Sequence, residues 1–278
     1  MSKIVFITYG NEKFSESLLR IKKQAYDLDF FDDIYIYEPK DLPKSITTKS
    51  IFRAKRGGGY WIWKPFIVHE TLSKLNIGDI LVYADAGCTL YKHREWKQYF
   101  NHLKKWDYLF FKQGMGLIEQ WTKREAIDFY CEKYKKKSWI YNTIIISGFF
   151  MIKKKSENLI IRDWYDAAVN YTELFIDTEE DQYFNQSSIF IEHRHDQAVL
   201  TPIVYVNQQR DNAKILPQHV DMCRYFGNAV FASRISHVKG TKWKKESILT
   251  YFIRYFRDVV ASIFHKRYIN FLYRKAEK

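Results

Sequence analysis

The sequence predicts an α/β fold, a mostly parallel sheet flanked by helices, and three observations predict it. Apolar runs of strand length alternate with segments of helical period, in the order β, α, β and then β, α, β again. The 278 residues suffice for one large α/β domain, and 46% of them are hydrophobic, with 18% aromatic to fill a core. No internal repeat and no Pro- or Ser-rich linker divides the chain, which favours a single catalytic-size domain.

Ile4 to Thr8 is a continuous apolar run and reads as the first strand. Phe14, Leu18, Ile21, Ala25 and Leu28 recur at helical spacing, the stripe of an amphipathic helix lying on a sheet. Asp33 to Tyr37 reads as a second strand stopped by Pro39. After the basic, glycine-rich Lys55–Gly59 stretch, Pro65 suits the first turn of a helix running through Val68 and Leu72 to Leu75. Asn76 and Gly78 close that helix, and Ile80 to Tyr83 is the next strand. Further on, Trp96 to Lys105 and Lys123 to Lys137 read as helical, with strand-like Tyr108 to Phe111 between them. Thr143 to Ile152 is a buried strand interrupted at Ser147-Gly148, Glu157 to Tyr171 is a helix, and Gln197 to Val206 fits helix or strand.

Lys and Arg exceed Asp and Glu by 13, a balance that suits an anionic partner without choosing among nucleic acid, acidic lipid and a phosphorylated substrate. From Lys242 to Lys278 ten basic residues face three acids. There Phe252, Phe256, Val259 and Ile263 share one helical face, with Arg254, Arg257 and His265 opposite. The chain is therefore divided into a catalytic domain over 1–243 and a basic amphipathic helical tail over 244–278. Such a tail can lie in a membrane interface; the alternative is a terminal helix packed on the domain with a solvated basic face. Three scattered cysteines build neither a disulfide framework nor a zinc site, which fits a reduced, cytoplasmic setting. The opening MSKIVFITYG reads as a strand rather than a signal peptide, and no apolar run is long enough to span a membrane. The expected location is cytoplasmic, with the tail able to make it peripheral on the inner membrane face.

Asp85 follows a fully apolar strand and precedes Ala86-Gly87, so it stands where a parallel strand ends. Ligands of open α/β sheets bind at such ends, and a carboxylate there can hold a divalent cation that bridges diphosphate oxygens. The plainer reading is an Asp capping a turn. Arg56 and Lys64 flank Gly57 to Tyr60, where glycine permits close backbone approach and a cation suits phosphate; alone, the three glycines read more simply as a flexible surface loop. At least two of Tyr60, Trp61 and Trp63 are expected to be packing residues. The run His193-Arg194-His195-Asp196-Gln197 matches no zinc spacing, and Asp196 is by itself a favoured helix cap.

Together these residues resemble a family. Tyr83-Ala84-Asp85-Ala86-Gly87 is similar to the strand-end Asp-x-Asp motif of nucleotide-sugar glycosyltransferases with the GT-A fold. GGGYWIWKP followed by GDILVYADAGC resembles bacterial capsule and O-antigen glycosyltransferases, over most of residues 1–240. The resemblance implies a GT-A-like, Rossmann-type sheet. It implies transfer of a hexosyl unit, galactosyl or galactofuranosyl, from a UDP-sugar to a glycan or lipid-linked acceptor in the synthesis of bacterial surface polysaccharide or lipopolysaccharide. By the same resemblance Asp196 is the catalytic carboxylate facing the acceptor. Thr8, Tyr9, Arg56, Lys64, Ala84, Asp85 and Lys242 contact donor, and Gly148 and His195 contact acceptor. A His-x-x-Gly motif at His237 brings that histidine, with Asp85, to a Mn or Mg ion. The second acid of the strand-end motif is Gly87 here, so the alternative is that a basic side chain neutralises the diphosphate.

Two further readings stand beside this one. A non-enzymatic nucleic-acid-binding protein fits the charge and the interleaved aromatics, but no recognition motif is present and Asp85 and Asp196 would repel a phosphate backbone. A metal-dependent hydrolase built on Asp85, Asp196 and His237 is weaker, because those positions lack tight ligand spacing.

Overall fold

Strand β1 (Ile4–Tyr9) is buried along nearly its whole length because it pairs on both sides, in parallel with β2 (Asp33–Tyr37) and with β3 (Ile80–Ala84). The computed structural model describes residues 2–217 and 228–234, and beyond them positions 249, 252, 253 and 256. The sheet continues through β7 (Phe149–Lys153), which is antiparallel to β3, to β5 (Tyr108–Leu117). β5 also pairs antiparallel with β6 (Thr143–Ile145) and parallel with β8 (Ala213–Pro217). Strands β1, β2, β3, β5 and β8 therefore run one way, and β6 and β7 the other. A small second ladder joins β4 (Thr89–Leu90) to β9 (Val230–Phe231) beside the end of β3.

The side chains of each strand alternate between two cores, as a pleated strand requires. Phe6, Val82, Leu109, Phe111, Phe149 and Met151 face α1 (Ser15–Leu28) and α3 (Glu95–Lys105). Val5, Ile7, Tyr83, Tyr108, Phe110 and Phe150 face the other layer. That layer holds α2 (Trp63–Ser73), α4 (Arg124–Tyr134), α5 (Leu159–Asn170) and α6 (His195–Asn207). α2 is apolar nearly all round because it packs between the sheet and α5, which leaves it no solvated face to pattern.

The α/β prediction holds, and its departures are local. The buried run over 143–152 forms two strands separated at 146–148, as the Ser147-Gly148 interruption suggested, and Gly148 meets Asp85 just past the end of β3. Gln197 to Val206 is helical, and β5 runs on to Leu117, past the apolar residues that marked it. β8 lacks a clean apolar run and was not foreseen. The tail over 244–278 lies outside the described residues except at the four isolated positions. There Phe252 and Phe256 are exposed, at 51% and 70%. Among the described residues no helix is long and apolar enough to cross a membrane.

Candidate active site

The ends of β1 and β3 point the same way, and the loops beyond them open into a cleft of about 750 Å³. Its position outside the carboxyl ends of parallel strands is where an open α/β sheet offers a ligand site. β3 delivers Asp85 to the floor. The register pairs Ala84 with Phe149, so the next residue meets Gly148, whose carbonyl accepts the Asp85 N–H at 2.9 Å. Tyr83, buried beneath, donates its hydroxyl to Asp85 Oδ1; burial first and the carboxylate second push this phenol well above its ordinary pKa. Behind the loop, Arg20 of α1 donates to the carbonyls of Ala86 and Cys88, at 2.9 and 3.1 Å, and fixes the path of the chain after Asp85.

Lys64, in the first turn of α2, reaches the same floor from below. Its side chain is 1% exposed, and its Nζ lies 2.6 Å from Asp196 Oδ2 and 3.1 Å from Asp85 Oδ1. The third direction is taken by the Ser147 carbonyl at 3.3 Å. An ammonium has three protons to donate, and these partners use them. Burial pulls the Lys64 pKa down, but Asp196 and then Asp85 outweigh it and hold the group above its ordinary value. Lys64 thus joins Asp85 and Asp196, 21 and 132 positions further along the chain, into one cluster with a formal charge of −1. A buried cation survives here because both carboxylates meet it directly.

The approach to α2 is unusual. Gly57, Gly58, Gly59, Tyr60 and Trp61 all have positive φ, between 53° and 93°, and bonds from Tyr60 N to Arg56 O and Trp61 N to Gly57 O wind them into a left-handed turn. Each L-residue in that region costs roughly 1–2 kcal/mol, so a run of three glycines is what makes the turn affordable for Tyr60 and Trp61. Trp63 Nε1 donates to Gly57 O at 2.9 Å, and the Trp63 ring stacks on Tyr9 with centroids 3.8 Å apart. The glycines are therefore an ordered wall of the cleft, not the flexible loop that their composition alone suggests.

His195 lines the far wall and His193 is buried, and both are committed to backbone. His193 donates Nε2–H to Leu174 O at 2.8 Å and accepts the Lys123 N–H on Nδ1 at 3.2 Å. His195 donates Nδ1–H to Phe175 O at 2.8 Å, leaving Nε2 3.6 Å from Asp177 Oδ1, and its ring stacks on Trp61. Burial lowers both histidines' pKa values, that of His193 strongly, so each is held neutral. Arg56 spans the rim with ion pairs to Asp177 and Glu192, each at 3.2 Å.

The residues expected from sequence fall into three groups. Tyr9, Arg56, Lys64, Asp85, Gly148, His195 and Asp196 line one cleft. Thr8 and Ala84 are fully buried in the strands behind it and do not line it. His237 and Lys242 lie outside the described residues. Sequence reasoning missed Lys13, Lys55, Arg194 and Arg234, which line the cleft, and Asp177 and Glu192, which anchor Arg56. Lys55 and Arg194 stand inside stretches that the sequence singled out for their neighbours, whereas Lys13, Asp177 and Arg234 sit in no periodic or motif-like context. Arg234 arrives with β9, whose neighbour Ser233 donates to Gly87 O at 2.6 Å. Six basic side chains (Lys13, Lys55, Arg56, Lys64, Arg194, Arg234) thus line the cleft against three acids (Asp85, Glu192, Asp196).

A divalent cation was expected at Asp85 and His237; His237 lies outside the described residues, and the described residues around Asp85 do not by themselves make a cation site. Asp85 offers one carboxylate already bound to the Lys64 ammonium and the Tyr83 hydroxyl, Gly87 offers none, and the carbonyls of Ala86 and Cys88 are taken by Arg20. Among the described residues no group of three or more His, Cys, Asp or Glu side chains comes together as a metal-ligand set.

The chain matches no protein-family model and no curated protein sequence. Solved structures share its general path at low identity. A glycosyltransferase involved in glycosylation of the major capsid of PBCV-1 is 11% identical over 94% of this chain and 99% of that one, with a TM-score of 0.42. The glycosyltransferase GlyE of Streptococcus pneumoniae TIGR4 is 10% identical over 97% of this chain and 64% of its own, with a TM-score of 0.43. The 4-diphosphocytidyl-2C-methyl-D-erythritol synthase of Anaerococcus prevotii is also 10% identical, over 87% and 94%, with a TM-score of 0.40. These are likenesses of chain path among proteins of different activity, and the chemistry of this chain has to be argued from its own cleft.

Proposed function

We infer that the cleft transfers a glycosyl unit from a nucleotide-diphosphate sugar to a hydroxyl of a glycan acceptor. The observation that carries this reading is the division of one cleft into a carboxylate floor, Asp85 and Asp196, and a rim rich in Lys and Arg. The floor suits sugar hydroxyls, which donate to carboxylates, while Lys13, Lys55, Arg56 and Arg234 suit a diphosphate. In the reaction the acceptor oxygen bonds to the anomeric carbon as the bond from that carbon to the donor's phosphate oxygen breaks. The nucleoside diphosphate leaves with the electron pair, its charge met by the basic rim. The hydroxyl proton passes to Asp196, the buried carboxylate of the floor.

The sequence resemblance supports a UDP-hexose donor, galactosyl or galactofuranosyl, and a bacterial surface polysaccharide of the capsule or O-antigen type as the product. The basic tail, with Phe252 and Phe256 exposed, supports peripheral contact with an anionic membrane that carries a lipid-linked acceptor. A panel of nucleotide sugars, read by release of nucleoside diphosphate in the presence of glycan acceptors, tests the reading. Acceptor-dependent release from a UDP-hexose is expected. Tight binding of single-stranded DNA with no affinity for any nucleotide would sink it in favour of nucleic-acid binding.

A further inference from the structure

We propose that the Lys64 ammonium takes the place of a divalent cation at Asp85, so that this protein binds a nucleotide-diphosphate donor without metal. The proposal rests on the donor reading of the cleft and concerns how the donor's charge is met.

Three observations lead to it. The first is occupancy. Lys64 Nζ lies 3.1 Å from Asp85 Oδ1 and 2.6 Å from Asp196 Oδ2, so the point between the two carboxylates, where a cation would gain most, holds one already. A dication brought to Asp85 would meet a fixed positive charge. It could not displace that charge, because the Lys64 side chain is 1% exposed and rooted in the first turn of α2.

The second is the ligand count. Mg prefers six oxygens in near-ideal octahedral geometry and keeps several waters on its open side, so it needs only one or two carboxylates, but it needs them free. Here, among the described residues, Asp85 Oδ1 accepts from both Tyr83 and Lys64, which leaves a metal only Oδ2 of a side chain that is 37% exposed. The nearby carbonyls of Ala86 and Cys88 accept from Arg20 instead.

The third is what stands at the missing acid. Gly87 has the backbone of Arg234 against it, the Arg234 Cα lying 3.4 Å from where a Gly87 Cβ would be. Arg234 holds a positive φ of 54°, an uncommon conformation for a residue with a side chain, and Ser233 pins it through Gly87 O and Thr89 Oγ1 at 2.6 and 2.8 Å. The position that would carry a second metal-binding carboxylate thus supports an arginine that lines the cleft. Lys64 meets the two carboxylates, and Lys13 and Lys55, which line the cleft, suit the diphosphate.

Two measurements on the full chain test the proposal and separate it from the donor reading. In thermal unfolding with saturating UDP, a rise of about 5 °C or more is expected, equal in chelator and in manganese. A rise seen only with manganese overturns the proposal and leaves the donor reading standing. No rise in either condition overturns the donor reading and the proposal with it. The second measurement titrates manganese alone against wild type and Lys64→Met. Removing the ammonium leaves Asp85 and Asp196 as a pair that seeks a cation, so manganese is expected to raise the melting temperature of the variant and not that of wild type. Stabilisation of wild type by manganese overturns the proposal. The wild-type arms decide the matter even where Lys64→Met fails to fold.

Discussion

Gly148 stands so close to Asp85 that a Cβ on it would lie 3.0 Å from Asp85 Oδ2, while its carbonyl holds the Asp85 N–H at 2.9 Å. The strand-end carboxylate is therefore positioned by a glycine 63 residues away in the chain. Gly148→Ala must push the carboxylate aside, and with it the contact to Lys64. Because Gly148 does not have positive φ, the backbone itself tolerates alanine. We expect turnover to fall by about tenfold or more, since a displacement of order 1 Å at a reacting site costs that much or worse, with the melting temperature nearly unchanged. Wild-type turnover in a folded Gly148→Ala protein would remove the Asp85 position from the chemistry.

The left-handed turn gives a graded prediction about stability. Gly58 has φ 58° with its nearest would-be Cβ contact at 3.7 Å, so Gly58→Ala meets conformational cost alone, about 1 kcal/mol. Gly59 has φ 93°, and a Cβ there would lie 2.8 Å from the Phe52 Cα, which is backbone and cannot swing away. Gly59→Ala should cost at least twice as much. Gly57→Ala would drive a Cβ into the Trp61 ring, the near side of which stands 2.2 Å away. Urea midpoints of the three variants should rank with Gly58→Ala mildest. Equal, small losses at all three would mean that the turn is loose.

That turn also shows where the sequence ceases to be legible. Ile4–Tyr9, Ser15–Leu28 and Ile80–Ala84 announce themselves, because strands buried on both faces read as apolar runs and a helix on a sheet reads as a stripe. Asp85 is legible from its place at a strand end, and Asp196 and Lys64 from the resemblance. Their union is not legible. It depends on Lys64 turning inward, and lysines are almost never fully buried unless paired with charges that only the fold brings near. Gly57 to Gly59 suggest flexibility by composition. Their left-handed winding is imposed by Trp61, Phe52 and Trp63, which close around them. Arg234 reaches the cleft, and Asp177 anchors Arg56 beside it, from stretches with no periodicity, so nothing local could mark them.

His193 sets an acid limit on stability. Both its ring nitrogens are bonded to backbone, and burial holds its folded pKa well below the unfolded value of 6.5. Below pH 6.5 the unfolded chain therefore binds a proton that the folded one refuses. The difference in bound protons, unfolded minus folded, is positive, and stability falls as pH falls from 6.5 towards the folded pKa. His195, lowered in the same direction, adds to the slope. His193→Gln keeps a donor and an acceptor but does not titrate. Denaturant midpoints measured between about pH 5 and pH 7 should fall more steeply for wild type than for this variant. Parallel slopes would mean that the histidine is not held neutral.

In the proposed reaction Asp196 separates catalysis from binding. Its carboxylate is 5% exposed, lines the cleft and meets Lys64 at 2.6 Å, whereas the diphosphate is assigned to the basic rim. A residue that receives the acceptor's proton acts only as the glycosidic bond forms, so its loss should appear in turnover and not in nucleotide affinity. Asp196→Asn is the variant of choice, because the amide oxygen can still accept from Lys64 and spare the fold the cost of a half-paired buried cation. We expect kcat to fall by about 10²-fold or more, the usual contribution of a general base, while the Kd for UDP changes little. Asp85→Asn, on the donor side of the floor, should lower turnover as well, and the comparison of the two variants assigns the sides. If Asp196→Asn lost UDP affinity and kept its turnover at saturating donor, Asp196 would belong with the donor, and the proton would have to leave by another route.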